Sequence, residues 1–195
     1  MYKHIVFLFL MLCCFDIYAS NCLETIWGVN NTTEEEKKFD LENDLTQYGV
    51  SYSCYAVMSA SQIEKFLRQL KEAIDSGNQI ALSNMFKYPF YVYVNTQHAS
   101  DGKVVNAIKI ASPKQFKSRY ETIITPMISR LIRCSSLKNM ATTNDGEIYM
   151  GLGAVTFAGR YKNQRRKREI EPLITSINLK NTEAEIHNMD SISCL

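Results

Sequence analysis

The sequence has few of the residues from which catalytic and metal sites are built. Its only histidines are His4, His98 and His187. His4 lies in the first twenty residues, His98 at a predicted hairpin tip and His187 in the C-terminal tail, so none is placed as a buried general base. The chain also lacks a nucleophile elbow, a phosphate-binding loop and a metal-ligand spacing. We therefore expect no cofactor and no metal, and the sequence carries no reaction signature.

The chain also lacks a strong net charge. A formal charge of +2 over 195 residues is too small to indicate nucleic acid as a partner. The apolar fraction of 46% is ordinary for a globular protein, and the length suits one domain. Partners are therefore sought among proteins and small molecules.

The first twenty residues resemble an export signal. Lys3 gives a short positive end, and the apolar run from Ile5 to Phe15 is too short to span a bilayer. Small residues at Ala19 and Ser20 predict cleavage there, which leaves no stable membrane span. A lipid anchor at Cys22 is a weaker alternative, because the residues before it match a lipoprotein box poorly. The protein is expected to be exported, either periplasmic or secreted.

Removal of that segment leaves an even number of cysteines with no CxxC spacing, which favours two structural disulfides over a metal site. Four cysteines allow three connectivities. The favoured pairs join the polar N-terminal segment to itself and the C-terminal tail to the core: Cys22 with Cys54, and Cys134 with Cys194.

The middle of the chain predicts helices followed by a strand hairpin. Ser61 begins a capping box, and apolar residues from Ile63 to Ile74 form one helical stripe. A second helix, with Asn78 as its cap, is predicted from Gln79 to Phe86. A strand from Phe90 to Val94 and its return from Val104 to Ile110 then form a hairpin.

The second half predicts two helices and two or three long strands. Ser112 and Thr125, each followed by proline, are helix caps. The stretch from Glu147 to Phe157 contains Gly151-Leu152-Gly153, which we interpret as a bulge in one bent strand; a hairpin turn is the alternative. The last strand is predicted from Leu173 to Leu179. This order predicts an α+β fold with a curved antiparallel sheet wrapped over N-terminal helices.

Four segments follow from this pattern: a signal peptide (1–20), a polar N-terminal segment (21–60), the α+β domain (61–180) and a C-terminal tail (181–195). The N-terminal segment is acid-rich and typical of a solvated helix or mobile arm. It also contains two overlapping glycosylation sequons, Asn30-Asn31-Thr32-Thr33, which matter only in a eukaryotic host.

Several short motifs in this domain resemble exported bacterial proteins of the nuclear transport factor 2-like (cystatin-like, SnoaL-like) superfamily. They are the helix end Leu70 to Asn78, then Tyr88-Pro89-Phe90, Ser112 to Tyr120, Ile124-Thr125-Pro126, and Gly146 to Gly153. The resemblance implies a cone-shaped sheet, a pocket between sheet and helices, and pairing of two copies through the open sheet face. Ala154 to Phe157 depart from the acidic residue and tryptophan that often follow the glycine pair in that family.

Candidate ligand-binding residues are Tyr91, Tyr93 and Tyr149, which could line a pocket wall, together with Glu147. The alternative is that the tyrosines cover the sheet or pack on its rim. Glu147 beside Tyr149 is also the best available acid pair for catalysis, against the simpler interpretation of an exposed strand residue.

A basic run is the strongest electrostatic feature of the sequence. It is either a solvated hairpin tip or a site for an acidic partner, and it comprises Arg160, Lys162, Arg165, Arg166, Lys167 and Arg168. The first hypothesis is an exported non-enzymatic protein that binds a small ligand or a protein. The alternatives are a hydrolase or isomerase that uses Glu147, and an immunity-type or effector-type protein that binds an acidic partner through the basic run.

Overall fold

The computed structural model describes residues 21–99, 102–164 and 167–179, and it has an α+β architecture. The helices are α1 (residues 21–29), α2 (Glu34–Asn43), α3 (Tyr52–Tyr55), α4 (Ala60–Asp75), α5 (Gln79–Asn84), α6 (Pro113–Ser118), α7 (Tyr120–Ile123) and α8 (Pro126–Cys134), with a 3-10 turn at Leu137–Asn139. The strands are β1 (Phe86–Ala99), β2 (Gly102–Ile110), β3 (Ala141–Thr142), β4 (Glu147–Met150), β5 (Val155–Gln164) and β6 (Lys167–Asn178).

The six strands form one mixed sheet in the order β2-β1-β6-β5-β4-β3. All neighbours are antiparallel except β1 and β6, which are parallel. The expectation of a purely antiparallel sheet was therefore wrong. A parallel pair needs a long crossover, and the helices and strands between β1 and β6 provide it.

Helix α4 begins earlier than predicted because a different serine caps it. The Ser59 hydroxyl accepts from the Gln62 N–H, and the Gln62 side chain accepts from the Ser59 N–H. The capping box is thus Ser59 to Gln62, not the one predicted at Ser61. The predicted caps of α5, α6 and α8 are confirmed: Asn78, Ser112 and Thr125 each accept from a first-turn N–H.

The glycine-rich stretch after β4 is a hairpin turn. β4 and β5 pair antiparallel from Met150 and Val155 outward, so the predicted bulge in one long strand was wrong. Gly151, Leu152 and Gly153 all have positive φ, at 57°, 58° and 82°. The turn also lies close to α8, since a Cβ on Gly151 would be 2.8 Å from the Leu131 Cβ. Only glycine fits that approach.

The core lies between α4 and one face of the sheet. Phe66 of α4 contacts Phe157 of β5 with ring centroids 5.0 Å apart. Phe86, Phe90 and Phe116 form a second aromatic group with centroids 4.5 and 4.8 Å apart. All five rings are at most 3% exposed. In the described residues these aromatic side chains are part of one core between the sheet and its helices.

The N-terminal segment is folded against this core. The predicted disulfide between Cys22 and Cys54 is present. Tyr52 is fully buried and donates to the Leu137 carbonyl at 2.8 Å. Asp40 is also buried and accepts from the indole N–H of Trp27 at 2.8 Å. The charge run from Glu34 to Lys38 lies in α2 with largely exposed side chains, which agrees with a solvated helix and not with a mobile arm.

Two predicted features lie outside the described residues, namely the signal peptide (1–20) and the tail (181–195). Cys134 takes part in a disulfide, and its predicted partner Cys194 belongs to that tail, so this pairing stays a prediction. Among the helices of the described residues, none is long and apolar enough to cross a bilayer.

Candidate functional site

The four predicted ligand-binding residues lie on the sheet face opposite α4, which we call the outer face. One row of Cα partners crosses all six strands of this face: Lys109, Tyr91, Ser176, Thr156, Tyr149 and Ala141. Residues directly opposite each other in a sheet share a face, and residues two apart on one strand do too. Tyr93 and Glu147 therefore join the same face, while their neighbours Val92 and Ile148 enter the core.

The outer face is most exposed where it is formed by β1 and β2. Tyr91 is 41% exposed and stacks with Tyr93, with ring centroids 6.5 Å apart and planes 26° apart. Ala107 and Lys109, their cross-strand partners on β2, are exposed as well. Toward the middle of the face Thr156 is buried. We call Tyr91, Tyr93, Ala107 and Lys109 the tyrosine patch.

Glu147 and Tyr149 contact each other at the other side of the outer face. The Tyr149 hydroxyl donates to Glu147 Oε2 at 3.3 Å, and the Thr175 hydroxyl donates to Oε1 at 3.4 Å. Burial raises the pKa of Tyr149, and the nearby carboxylate of Glu147 raises it further. Tyr149 therefore keeps its proton at neutral pH, and both residues lie outside any space between sheet and helices.

The basic run is part of a strand hairpin. β5 and β6 pair as far as Gln164 and Lys167, so the last strand begins six residues before the predicted Leu173. The register places Arg160 opposite Glu171 and Lys162 opposite Glu169. Opposite charges at facing positions attract, so Arg160 is partly balanced by Glu171 on the strand beside it.

Arg165 and Arg166 lie outside the described residues, and the structure describes Lys167 and Arg168 only through their backbone. The role predicted for the basic run stays a prediction.

A half-open groove of about 250 Å³ lies between α4 and the start of β6. It lies apart from the predicted ligand-binding residues, and it is lined by Gln62, Lys65, Phe66 and Gln69 of α4 and by Ile170, Glu171 and Pro172 of β6.

An excess of basic residues along the stretch of sequence that contains the tyrosine patch was not among the predictions. Between Phe86 and Tyr120 the only acidic residue is Asp101, whereas the basic residues are Lys87, Lys103, Lys109, Lys114, Lys117 and Arg119. A count of charges along this stretch would have found it, but the denser run at residues 160–168 dominated the sequence.

No protein-family model, curated protein or solved structure matches this chain.

Proposed function

We propose that this chain is an exported, disulfide-bonded protein that acts by binding another protein and not by catalysis. One observation carries the proposal. The predicted ligand-binding residues lie on the outer face of the sheet, while aromatic side chains form part of the core between sheet and helices. An exposed sheet surface is accessible to a macromolecule, whereas small ligands usually bind in concave sites.

The tyrosine patch has the composition of a protein-binding surface. Tyrosine combines a large apolar ring with a hydrogen-bonding hydroxyl, and it is enriched among residues that dominate binding energy. Tyr91 and Tyr93 project from the interior of a sheet, so little conformational entropy is lost when a partner covers them. Lys109 beside them adds a positive charge that favours an acidic partner.

The contact between Glu147 and Tyr149 argues against the enzyme alternative. A general acid or base works best when its pKa lies near the working pH. The raised pKa of Tyr149 moves that hydroxyl away from this range, and its hydrogen bond holds one oxygen of Glu147. The pair therefore stabilises the sheet face instead of transferring protons.

Export and family membership belong to the same proposal. The disulfide between Cys22 and Cys54 is compatible with an oxidising compartment, and the apolar start of the chain agrees with export. The motifs quoted above support a relation to the nuclear transport factor 2-like superfamily with its cone-shaped sheet. The main alternative to a different partner protein is a second copy of this chain bound at the sheet face.

Photo-crosslinking in the native host tests this proposal. Tyr91 is replaced by benzoylphenylalanine, and the same replacement at Tyr48, which is 72% exposed in the N-terminal segment, serves as the control. We expect one discrete adduct with another protein from position 91 and none from position 48. An adduct with a second copy of this chain would show that the bound protein is another copy and that the outer face forms a homodimer. No adduct from position 91, or the same adducts from both positions, would overturn the proposal.

A further inference from the structure

Strand β2 is a free edge of the sheet, and its outward backbone groups can be identified. The Leu179 N–H donates to the Tyr93 carbonyl at 2.9 Å, so the backbone groups of Tyr93 face away from β2. Ala107 is the cross-strand partner of Tyr93, and its N–H and C=O must then point away from β1. Alternation along the strand adds Val105 and Lys109 to this outward set.

The end of β2 supports this assignment. Ala111 follows Ala107 by four residues, so its N–H points to the same outward side of the strand. This N–H donates to the side-chain oxygen of Gln115 at 2.8 Å. Within the part of the chain that the structure describes, nothing comparable pairs with the outward groups of Val105, Ala107 and Lys109. Unpaired backbone groups on an edge strand form a template for another strand.

The other unpaired strand edges are shorter or capped. β5 extends beyond β4 from Gly159 to Gln164, and β1 extends beyond β6 after Tyr93. β3 is only two residues long. The first half of β6 extends beyond β1, and there the Ile170 N–H donates to the Asn30 side chain at 3.2 Å. The Gln62 side chain donates to the Ile170 carbonyl at 3.4 Å, and Pro172 has no N–H to offer. Side-chain caps and an edge proline hinder strand addition at β6, so β2 has the longest unpaired edge among the described strands.

Charge indicates which strand would fit. β1 and β2 together contain no acidic residue, and they carry Lys87, Lys103 and Lys109. A second copy added antiparallel about Asn106 would place Lys103 of one chain opposite Lys109 of the other. Like charges at facing positions are destabilising. An acidic strand would instead meet lysines on the edge that it joins.

We propose that β2 binds an extended, acidic segment of the partner protein, which adds a seventh strand beside Val105, Ala107 and Lys109. Backbone hydrogen bonds along this edge supply the affinity, and the lysines select acidic side chains. The added strand would continue the outer face next to Tyr91 and Tyr93. This inference rests on the proposed function and specifies the chemistry of the partner at the tyrosine patch.

Selection from a random peptide library displayed on phage, with the oxidised protein immobilised, tests the inference. We expect enriched peptides to be acidic and free of proline in their centre. Ala107→Pro removes an outward N–H without touching the ladder to β1, so it should weaken the selected peptides at least about tenfold. Tyr48→Ala, an exposed position in the N-terminal segment, is the control and should bind as the wild type does.

Lys109→Glu provides a second variant if Ala107→Pro fails to fold, as judged by circular dichroism. It should also weaken acidic peptides by about tenfold or more, because it puts like charges on facing strands. The inference is overturned if selection enriches nothing, if enriched peptides show no acidic excess, or if folded Ala107→Pro and Lys109→Glu both bind them like the wild type. If one of these outcomes occurs but position 91 still gives a crosslink to a partner, the proposed function holds and only the addition of a strand to β2 is contradicted.

Discussion

At the scale of single residues, a buried carboxylate organises the N-terminal segment. Asp44 is 5% exposed and accepts from the Ser51 hydroxyl at 2.5 Å and from both the N–H and the hydroxyl of Ser53 at 2.8 Å. Burial raises the pKa of Asp44 in spite of these hydrogen bonds, which lower it. The three donors hold the start of α3 against the end of α2.

Replacement of Asp44 by alanine should destabilise the protein by about 2–3 kcal/mol, because two hydroxyls and one N–H lose a buried acceptor. Chemical denaturation measures this change. Glu42→Ala is the matched control, since Glu42 is an exposed acid two residues away and should change stability by less than about 0.5 kcal/mol. Equal losses for the two variants would contradict the role of Asp44.

The raised pKa of Asp44 also predicts a pH dependence. A folded-state pKa above the unfolded value means that the folded protein binds this proton more tightly, so the contribution is lost as pH rises through the folded pKa. The free energy of unfolding of the wild type, relative to Asp44→Asn, should therefore increase as pH falls from neutrality toward the unfolded value of 3.8. Paired urea melts across this window measure it, and an opposite slope would refute the assignment.

The overlapping sequons give a third prediction at this scale. The Asn30 amide donates to the Ile26 carbonyl at 3.0 Å and accepts from the Ile170 N–H, whereas Asn31 is exposed. When the chain is secreted from mammalian cells, a glycan should be attached at Asn31 and not at Asn30. Mass spectrometry of Asn31→Gln should show loss of the glycan, while Asn30→Gln should keep it. A glycan that survives Asn31→Gln would show that Asn30 is the acceptor.

Residue-scale features were predictable where the signal is local. Asn78, Ser112 and Thr125 could be identified as caps because a cap needs only the next three residues. The burial of Asp40 and Asp44 could not be predicted, since their partners Trp27 and Ser53 are 13 and 9 residues away.

At the scale of elements, the turn between β4 and β5 depends on tertiary contact. A Cβ at Gly151 would meet the Leu131 Cβ at 2.8 Å, and φ is 57°. The sequence Gly-Leu-Gly is equally compatible with a bulge and with a turn, because Leu152 gives no sign that it adopts a positive φ of 58°. The choice between them is made by the packing of this turn on α8.

Gly151→Ala should destabilise the protein by about 2–4 kcal/mol, through left-handed strain and the clash with α8. Gly77→Ala is the control, because Gly77 has φ of 61° but no atom within 4 Å of the position that a Cβ would occupy. It should cost only about 1 kcal/mol. Thermal melts of the two variants compare these costs. Losses of equal size would mean that the contact with Leu131 contributes nothing.

The closed edge of β6 is another element that sequence could not reveal. Pro172 marks an edge position, which is readable in principle. The caps from Asn30, which follows α1, and from Gln62 in α4 are 140 and 108 residues away from Ile170. Contacts at that separation leave no local pattern in one sequence.

At the scale of the whole molecule, the sheet and its helices form one core. The α+β class and most element positions were recoverable from hydrophobic period and turn residues, and the Cys22–Cys54 disulfide belongs to one of three connectivities that the cysteine count left open. The parallel pairing of β1 with β6 was not recoverable, because it joins residues 85 to 88 positions apart. Only the three-dimensional arrangement shows that Tyr91 and Tyr149 share a face away from the core.

The affinity of the partner recovered by crosslinking tests the central claim most directly. The purified partner is titrated against the wild type, Tyr91→Ala and Tyr48→Ala. Loss of a ring at the tyrosine patch should weaken binding at least about tenfold, and Tyr48→Ala should leave the affinity unchanged. If Tyr91→Ala binds as tightly as the wild type, the outer face is not the binding surface and the account is wrong.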